Sequence, residues 1–494
     1  MRPVARAAVL AAALCAPGAL RAQDGSAFDL LPAAATSRRA AADRLSSAVS
    51  AAMDRVKGRG TWGVMIVSLT NGDTLFDRNA DAMLSPASTM KLFTSALALE
   101  HFGPEGRFET KLLHTGAISG GVLYGDLVLR GAGDPTLGGI APAKGEPSPI
   151  VRLARAVADA GITRIMGDVV GDASAFDDAR VPDGWLKRYL HASYAARVSA
   201  LSFNENKVVV IVAPGPRGPT VQFSPAISGI EITSTLQVVA GSRGARVGVM
   251  QDTVAGRVRV SGWIGAKSPA RYYSLVVENP ELFAAGALKA ALADAGVAVE
   301  GRLRVTPPSQ PVEPVASLPS PTIEQLVAQM NGESNNHFAE LLFRNVARVD
   351  GDHGSAVTAN MLLGQFLADK VHADSATVFA ADGSGLSTLD RVTPRAMVQL
   401  LDYARHAPWG AVLEQSLPIA GKTETLARRM RRTPASGNLH AKTGTTDAIA
   451  SLGGYVTASN GEDLAFSIIY NGRDRWQARD AIDRIGVALA TFSR

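Results

Sequence analysis

Strand candidates stand at both ends of this chain, with a long stretch of different character between them, so the sheet they imply is built from chain ends rather than from one contiguous segment. Near the N-terminus, WGVMIVSL (Trp62 to Leu69), the turn Thr70-Asn71-Gly72-Asp73 and the return TLFD read as a β-hairpin, Asn-Gly supplying the positive φ of a tight turn. Near the C-terminus, GNLHAKTG, AIASLGGYVTA and LAFSIIYNG read as strands, and an amphipathic helix is expected from about Trp476 to Phe492. A further amphipathic helix is expected from Ala34 to Val56, and a helix rich in Leu, Ala, Met and Lys from Ser88 to about Phe102, stopped at Gly103.

Between Gly103 and about Pro321 the pattern changes to short β-like runs (VLYGDLVLRGAG, KVVVIVAP, GRVRVSGWIG, RYYSLVVEN) separated by Gly and Pro. One helix interrupts them, roughly Pro280 to Ala295, with Gly296 as its stop. The proline-rich segment Thr306 to Thr322 reads as the strand and linker that leads out. Helical spacing then returns in TIEQLVAQMNGESNNHFAELLFRNVA, SAVTANMLLGQFLADK and TPRAMVQLLDYARH. At 494 residues the chain exceeds one ordinary core. The expected organisation is a signal peptide at 1–22, one discontinuous α/β (α+β) domain at 23–108 and 315–494 with an antiparallel sheet flanked by helices, and a large β-rich insert at 109–314 forming two subdomains.

The signal peptide is read from Arg2 and Arg6, the apolar run Ala7 to about Leu20 and the small residues ending at Ala22. Export to the periplasm or the extracellular side is therefore expected, and no later window is apolar for the ~20 residues of a membrane helix. Cys15 is the only cysteine, with Leu14 where a lipoprotein signal wants a small residue. Cleavage near Ala22 leaves no thiol for disulfides, catalysis or metal binding. The formal charge of +5 includes Arg2, Arg6 and Arg21 and drops to +2 without them (5 − 3 = 2), too little for a nucleic-acid footprint.

Three short elements occur in the order S-x-x-K, S-x-N and K-T-G, as Ser88-Thr89-Met90-Lys91, Ser334-Asn335-Asn336 and Lys442-Thr443-Gly444. A serine in the first helical turn sits near unpaired N–H groups and the positive end of the helix dipole. Lys91, three residues on, shares its face, and as a neutral amine it is suited to take the Ser88 proton if burial or a cation such as Lys442 lowers its pKa. Ser334 suits a proton relay to a leaving amine and Asn336 a hold on a substrate backbone group. Lys442 and Thr443 suit a terminal carboxylate, Gly444 the close approach of a substrate peptide to the strand edge, and the Thr445 N–H an oxyanion hole shared with that of Ser88. Taken alone, Ser88 reads equally as an N-cap, Ser334-Asn335-Asn336 as a polar loop and Lys442-Thr443-Gly444 as a strand end. Lys422-Thr423-Glu424 lacks the glycine and is set aside.

The three motifs in this order resemble the active-site serine penicillin-recognising enzymes. The distance from Ser88 to Ser334, 334 − 88 = 246 residues, narrows the resemblance to the class C low-molecular-mass penicillin-binding proteins, the D-Ala-D-Ala carboxypeptidase/endopeptidase family, which carries extra domains at this point. GDLVLRGAGDPTL, VSALSFNENKV, MNGESNNHFAELL, DGSGLSTLDRVTP and HAKTGTTDAIASLGGYV fit it as well. The chain departs from the family pattern at Thr446, usually hydrophobic, and at Glu424-Thr425, usually Gly-Thr. The resemblance implies a penicillin-binding transpeptidase-like fold and a Ser88 acyl-enzyme. It implies peptidoglycan stem peptides as substrates, β-lactams as covalent inhibitors and no cofactor. DGSGLS is read as a tight turn near the cleft, Asp382 and Ser384 being open to a substrate contact. The competing readings are a β-lactamase, for which no deacylating motif is seen, and a non-catalytic module binding cell-wall peptides. The eight His show no HExxH spacing for a metallohydrolase.

Overall fold

The computed structural model describes residues 30–138, 146–225, 231–252, 257–348 and 353–494. The expected signal peptide lies outside the described residues. Helix α1 (Leu30–Met53) leads into the hairpin of β1 (Gly60–Ser68) and β2 (Thr74–Arg78), with Gly72 in its turn at φ 75°. Helix α2 (Lys91–Phe102) follows and ends at Gly103, φ 69°. The insert holds α3 (Pro149–Asp159) and α4 (Pro280–Asp294), and beyond it lie α5 (Ile323–Glu333), α6 (Asn336–Val346), α7 (Ala356–Phe366), α8 (Pro394–His406) and α9 (Gly410–Gln415). The chain closes with β3 (His440–Thr445), β4 (Ile449–Thr457), β5 (Asp463–Gly472) and α10 (Arg475–Ala490).

The two sets of strands join in one antiparallel five-stranded sheet of order β2-β1-β5-β4-β3, β1 pairing with β5 from Gly60 opposite Gly472 to Ser68 opposite Leu464. Period-two alternation assigns its faces. Leu464, Phe466, Ile468 and Tyr470 of β5 pack in one cluster with Val49 of α1 and Ile482, Ile485 and Leu489 of α10. Ala465 and Ile469 point the other way, into a cluster with Phe93 of α2, Phe338 of α6 and Met397 of α8. Helix α2 is buried along its length from Lys91 to Leu99, which is why it is apolar all round rather than striped.

The chain enters the insert on the strand Glu109–His114 and leaves it on Glu313–Pro319, and these two pair antiparallel. They belong to a five-stranded sheet completed by Leu127–Arg130, Val169–Asp172 and Leu303–Arg304, covered by α3 and α4. A boundary at 314/315 would cut the exit strand from its partner, so we propose that the insert runs to Pro319. A second, separate cluster of Val210, Val212, Leu236, Val258, Val260 and Ile264 lies between a three-stranded and a four-stranded sheet.

The expectation of a single helix in the insert is corrected by α3. Its signals were present, Ser148 before Pro149 at the first helical position and apolar Ile150, Leu153, Ala154 and Val157 at helical spacing. No described helix is long and apolar enough to cross a membrane.

Phe466 is fully buried in the central sheet. Phe466→Ala is expected to cost about 3–5 kcal/mol, read as a lowered urea midpoint at unchanged slope; a midpoint equal to wild type would mean that this cluster does not hold the sheet.

Candidate active site

Ser88 occupies a single 3₁₀ turn, Ala87–Met90, that feeds into α2. The regular α-helix thus begins at Lys91 rather than at Ser88. The preceding residue, Ala87, is held at φ 49°, a left-handed conformation that costs a β-carbon-bearing residue about 1–3 kcal/mol. Several contacts hold the turn in place. The Pro86 carbonyl accepts from Thr89 Oγ1 at 2.8 Å and from Ser451 Oγ of β4 at 2.6 Å. The Asn471 amide of β5 accepts from Ser85 N and donates to Ser85 O, both at 2.9 Å. The central sheet therefore positions Ser88, through two polar side chains that carry no motif in the sequence.

Lys91 is fully buried, and its Nζ makes three hydrogen bonds: to Ser88 Oγ at 3.1 Å, Asn336 Oδ1 at 2.7 Å and the Ser384 carbonyl at 2.7 Å. Burial pulls the amine down to about 8, against the opposing pull of Asp382, Glu340 and Asp390. Ser334 caps the end of α5 in the left-handed region at φ 58° and accepts from Lys442 Nζ at 2.8 Å. Asn335 caps α6, and Asn336 Nδ2 donates to the Tyr194 carbonyl at 2.9 Å. Lys442 is as deeply buried as Lys91; burial and the charge of Lys91 hold it well below the usual lysine range. Its remaining bond goes to the Thr443 carbonyl at 3.0 Å.

Ser88, Lys91, Ser334, Asn336 and Lys442 thus gather in one polar centre. Thr443 sits beside it on β3, its hydroxyl donating to Thr425 Oγ1 at 3.2 Å. Thr425 therefore enters the site although its neighbours Lys422 to Glu424 do not form a second motif. Gly444 has a steric reason besides the one expected. A β-carbon there would lie 2.2 Å from Ser451 Oγ, 2.7 Å from the Pro86 carbonyl and 3.1 Å from Ser88 N, so the glycine lets β3 pack on the Ser88 turn. Thr445 ends the strand and lines a cleft of about 310 Å³ together with Ser88, Ser334, Asn336, Tyr189 and Arg475. At its rim Asp447 accepts from Tyr189 Oη at 2.9 Å and from Arg188 at 2.8 Å.

The residues behind Lys91 were legible only as a turn. Asp382 and Ser384 are fully buried and do not line this cleft. Asp382 Oδ1 accepts from Ser384 N at 3.0 Å and Gly385 N at 2.6 Å, and this loop presents the Ser384 carbonyl to Lys91. Burial raises the nearby carboxyls of Glu340 and Asp390, and in both cases the Asp382 charge adds to the rise.

The sequence profile of the D-Ala-D-Ala carboxypeptidase 3 (S13) family matches residues 45–492. A D-alanyl-D-alanine carboxypeptidase of Actinomadura sp. (strain R39) is 31% identical over 449 residues, 87% of this chain and 81% of that protein. The D-alanyl-D-alanine carboxypeptidase DacB of Haemophilus influenzae is 27% identical over 417 residues, 83% of this chain and 85% of that one. The crystal structure of penicillin binding protein 4 (dacB) from Haemophilus influenzae superposes with a TM-score of 0.76 at 25% identity, covering 89% of this chain and 98% of the other.

The packing at Gly444 is open to a direct test. Gly444→Ala places a methyl group against Ser451 and the Pro86 carbonyl and is expected to destabilise by about 1–3 kcal/mol, measured by denaturant unfolding. A variant as stable as wild type would show that the Ser88 turn does not rest on this strand.

Proposed function

Since the chain belongs to the D-Ala-D-Ala carboxypeptidase 3 (S13) family, we propose that it is an exported serine-type D-Ala-D-Ala carboxypeptidase, with DD-endopeptidase action on peptidoglycan stem peptides, that works through an acyl-enzyme on Ser88. The observation that carries this reading is the hydrogen count at Lys91 Nζ. A neutral amine has two hydrogens and one lone pair. Lys91 Nζ as an ammonium donates to Ser88 Oγ at 3.1 Å and to Asn336 Oδ1 and the Ser384 carbonyl at 2.7 Å; once neutral, it keeps its two hydrogens on the two nearer acceptors and turns its lone pair to the Ser88 hydroxyl. The lowered pKa of Lys91 supports the same assignment, because it keeps a usable fraction of neutral amine near pH 7.

In the proposed reaction Ser88 Oγ bonds to the carbonyl carbon of the penultimate D-Ala while its proton passes to Lys91. The N–H groups of Ser88 and Thr445 receive the oxyanion. Ser334, hydrogen-bonded to Lys442, hands a proton to the amine of the terminal D-Ala as its C–N bond breaks. Asn336 holds a substrate amide, and Lys442, Thr443 and Gly444 form the strand edge that receives the terminal carboxylate, with Lys442 acting through Ser334 because its own amine is buried. Water then hydrolyses the ester. In a cross-link the leaving amine belongs to the side chain of a diamino acid, and the same steps give endopeptidase action. A β-lactam acylates Ser88 by the same attack, its ring nitrogen remaining tethered.

The test is intact-mass analysis of the mature protein with excess benzylpenicillin beside Ser88→Ala, followed by D-Ala release from a D-Ala-D-Ala pentapeptide. A persistent adduct on wild type alone, with D-Ala released, is expected. Rapid penicillin turnover without D-Ala release would make the protein a β-lactamase, and neither adduct nor turnover would leave a binding module. Lys91→Met is expected to slow acylation by about 10²–10⁴-fold.

The pH profile has a defined sign. The neutral form of Lys91 is the base, so acylation is expected to rise about tenfold per pH unit up to its pKa of about 8 and to flatten above it. A rate independent of pH between 6 and 9 would remove Lys91 from that role.

A further inference from the structure

We propose that Trp185, a residue of the insert, is a positioning residue for the general base, its indole N–H fixing Asp382, Asp382 fixing the Ser384 loop, and the Ser384 carbonyl fixing Lys91. The inference rests on the reading of Lys91 as the base of Ser88. Trp185 Nε1 donates to Asp382 Oδ2 at 2.7 Å, a bond across 197 positions of sequence between two buried side chains. The same oxygen accepts from Ser387 N at 2.7 Å, while Oδ1 takes Ser384 N and Gly385 N. Four N–H groups therefore converge on one carboxylate, three from the loop it organises and one from the insert. Lys91 Nζ then bonds to the carbonyl of the first loop residue held in this way.

The fit extends beyond the one bond. The backbone carbonyl of Asp183 accepts from Ser387 Oγ at 2.6 Å, and that of Gly184 accepts from Thr388 N at 3.2 Å and Thr388 Oγ1 at 3.0 Å. Gly184 holds φ 81°, and a β-carbon there would lie 2.4 Å from Ser387 Oγ, so the segment 183–185 lies flat on the loop 384–388. Trp185 packs with Tyr189, Ala195 and Leu386 in a small apolar cluster and does not line the cleft. Its contribution to the reaction therefore passes through Asp382, not through substrate.

The environment explains why the fourth donor matters. Asp382 is fully buried beside the carboxyls of Asp390 and Glu340, and its backbone N–H donates to Asp390 Oδ1 at 3.3 Å. Without the indole, Asp382 Oδ2 is held by Ser387 N alone, so the carboxylate is less firmly fixed against rotation. That rotation withdraws Oδ1 from Ser384 N and Gly385 N, and with it the carbonyl that orients Lys91. An indole replaced by a benzene ring keeps an aromatic side chain in the cluster but removes the donor together with the pyrrole half of the ring, so rates are compared per acylatable site.

The experiment measures benzylpenicillin acylation by stopped flow across penicillin concentration, separating the rate constant of acylation from the non-covalent dissociation constant, with rates normalised to the acylatable fraction found by mass. For Trp185→Phe an acylation constant about tenfold lower is expected, with the dissociation constant within twofold of wild type. Asp382→Asn is expected to lose at least as much, and Trp185→Phe added to it is expected to lose no more, because both act through one path. An acylation constant per site equal to wild type in Trp185→Phe, even at reduced yield or stability, would reduce Trp185 to a packing residue. Full additivity in the double variant would also overturn the inference. Failure of the underlying mechanism looks different, since then wild type itself forms no adduct, or Ser88→Ala forms one.

Discussion

The arrangement depends on one buried amine. Taking a lysine amine out of water is costly and disfavours its charged form, and the protein meets that cost at Lys91 with three oxygen partners within 3.1 Å rather than with a paired carboxylate in direct contact. Each partner comes from a different part of the chain: the turn that opens α2, the start of α6, and the loop at Ser384. The apolar character of α2 follows from the same requirement, because a helix that delivers a lysine into the centre of the domain has no face left for solvent. The sheet acts on this centre from the side, Ser451 holding Pro86 and Asn471 holding Ser85 so that Ser88 arrives over the amine.

A second amine, Lys442, lies close enough for its titration to feel Lys91, and both are fully buried. Two ammonium groups in one low-dielectric site repel, so each amine disfavours the charge of the other. Ser334 accepts a hydrogen bond from Lys442, which suits its hydroxyl to a relay that draws on that amine and passes a proton to a leaving group. The left-handed backbone at Ser334 has a clear use here. A right-handed residue would continue α5 and carry the hydroxyl away along the helix, whereas φ 58° breaks the helix and lets Asn335 cap α6 one residue later.

Much of this was legible in the sequence because it is written in local pattern. The hairpin, the three closing strands and α10 follow from alternation and turn residues, and the motif residues follow from three short spacings. Helix α3 was missed although its Ser-Pro start and apolar spacing were present, because the surrounding β-like runs outweighed it. What pattern does not encode is pairing across distance. Nothing around Ser451, Asn471 or Trp185 announces a partner, and each is recognised only once folding brings it to Pro86, Ser85 or Asp382. Gly444 illustrates a subtler limit. The need for glycine was evident, but one cause of it, the Ser88 turn packed against β3, is a tertiary contact that no local pattern announces.

The long insert is therefore part of the centre as well as an appendage to it. It leaves the catalytic region on two paired strands, which fixes its base, and then returns to the site, three of its contacts reaching the motif turn and the loop behind Lys91 through side chains there. Tyr194 gives its carbonyl to Asn336, Glu205 accepts from Asn335 at 3.0 Å, and Trp185 reaches Asp382. Two of these contacts grip the polar turn that carries Ser334, and the third grips the loop behind Lys91. A strained turn and a buried carboxylate are both costly to hold in isolation, and the insert supplies partners to each. The insert therefore does more than extend the surface: its contacts complete the turn at Asn335–Asn336 and the loop at Asp382.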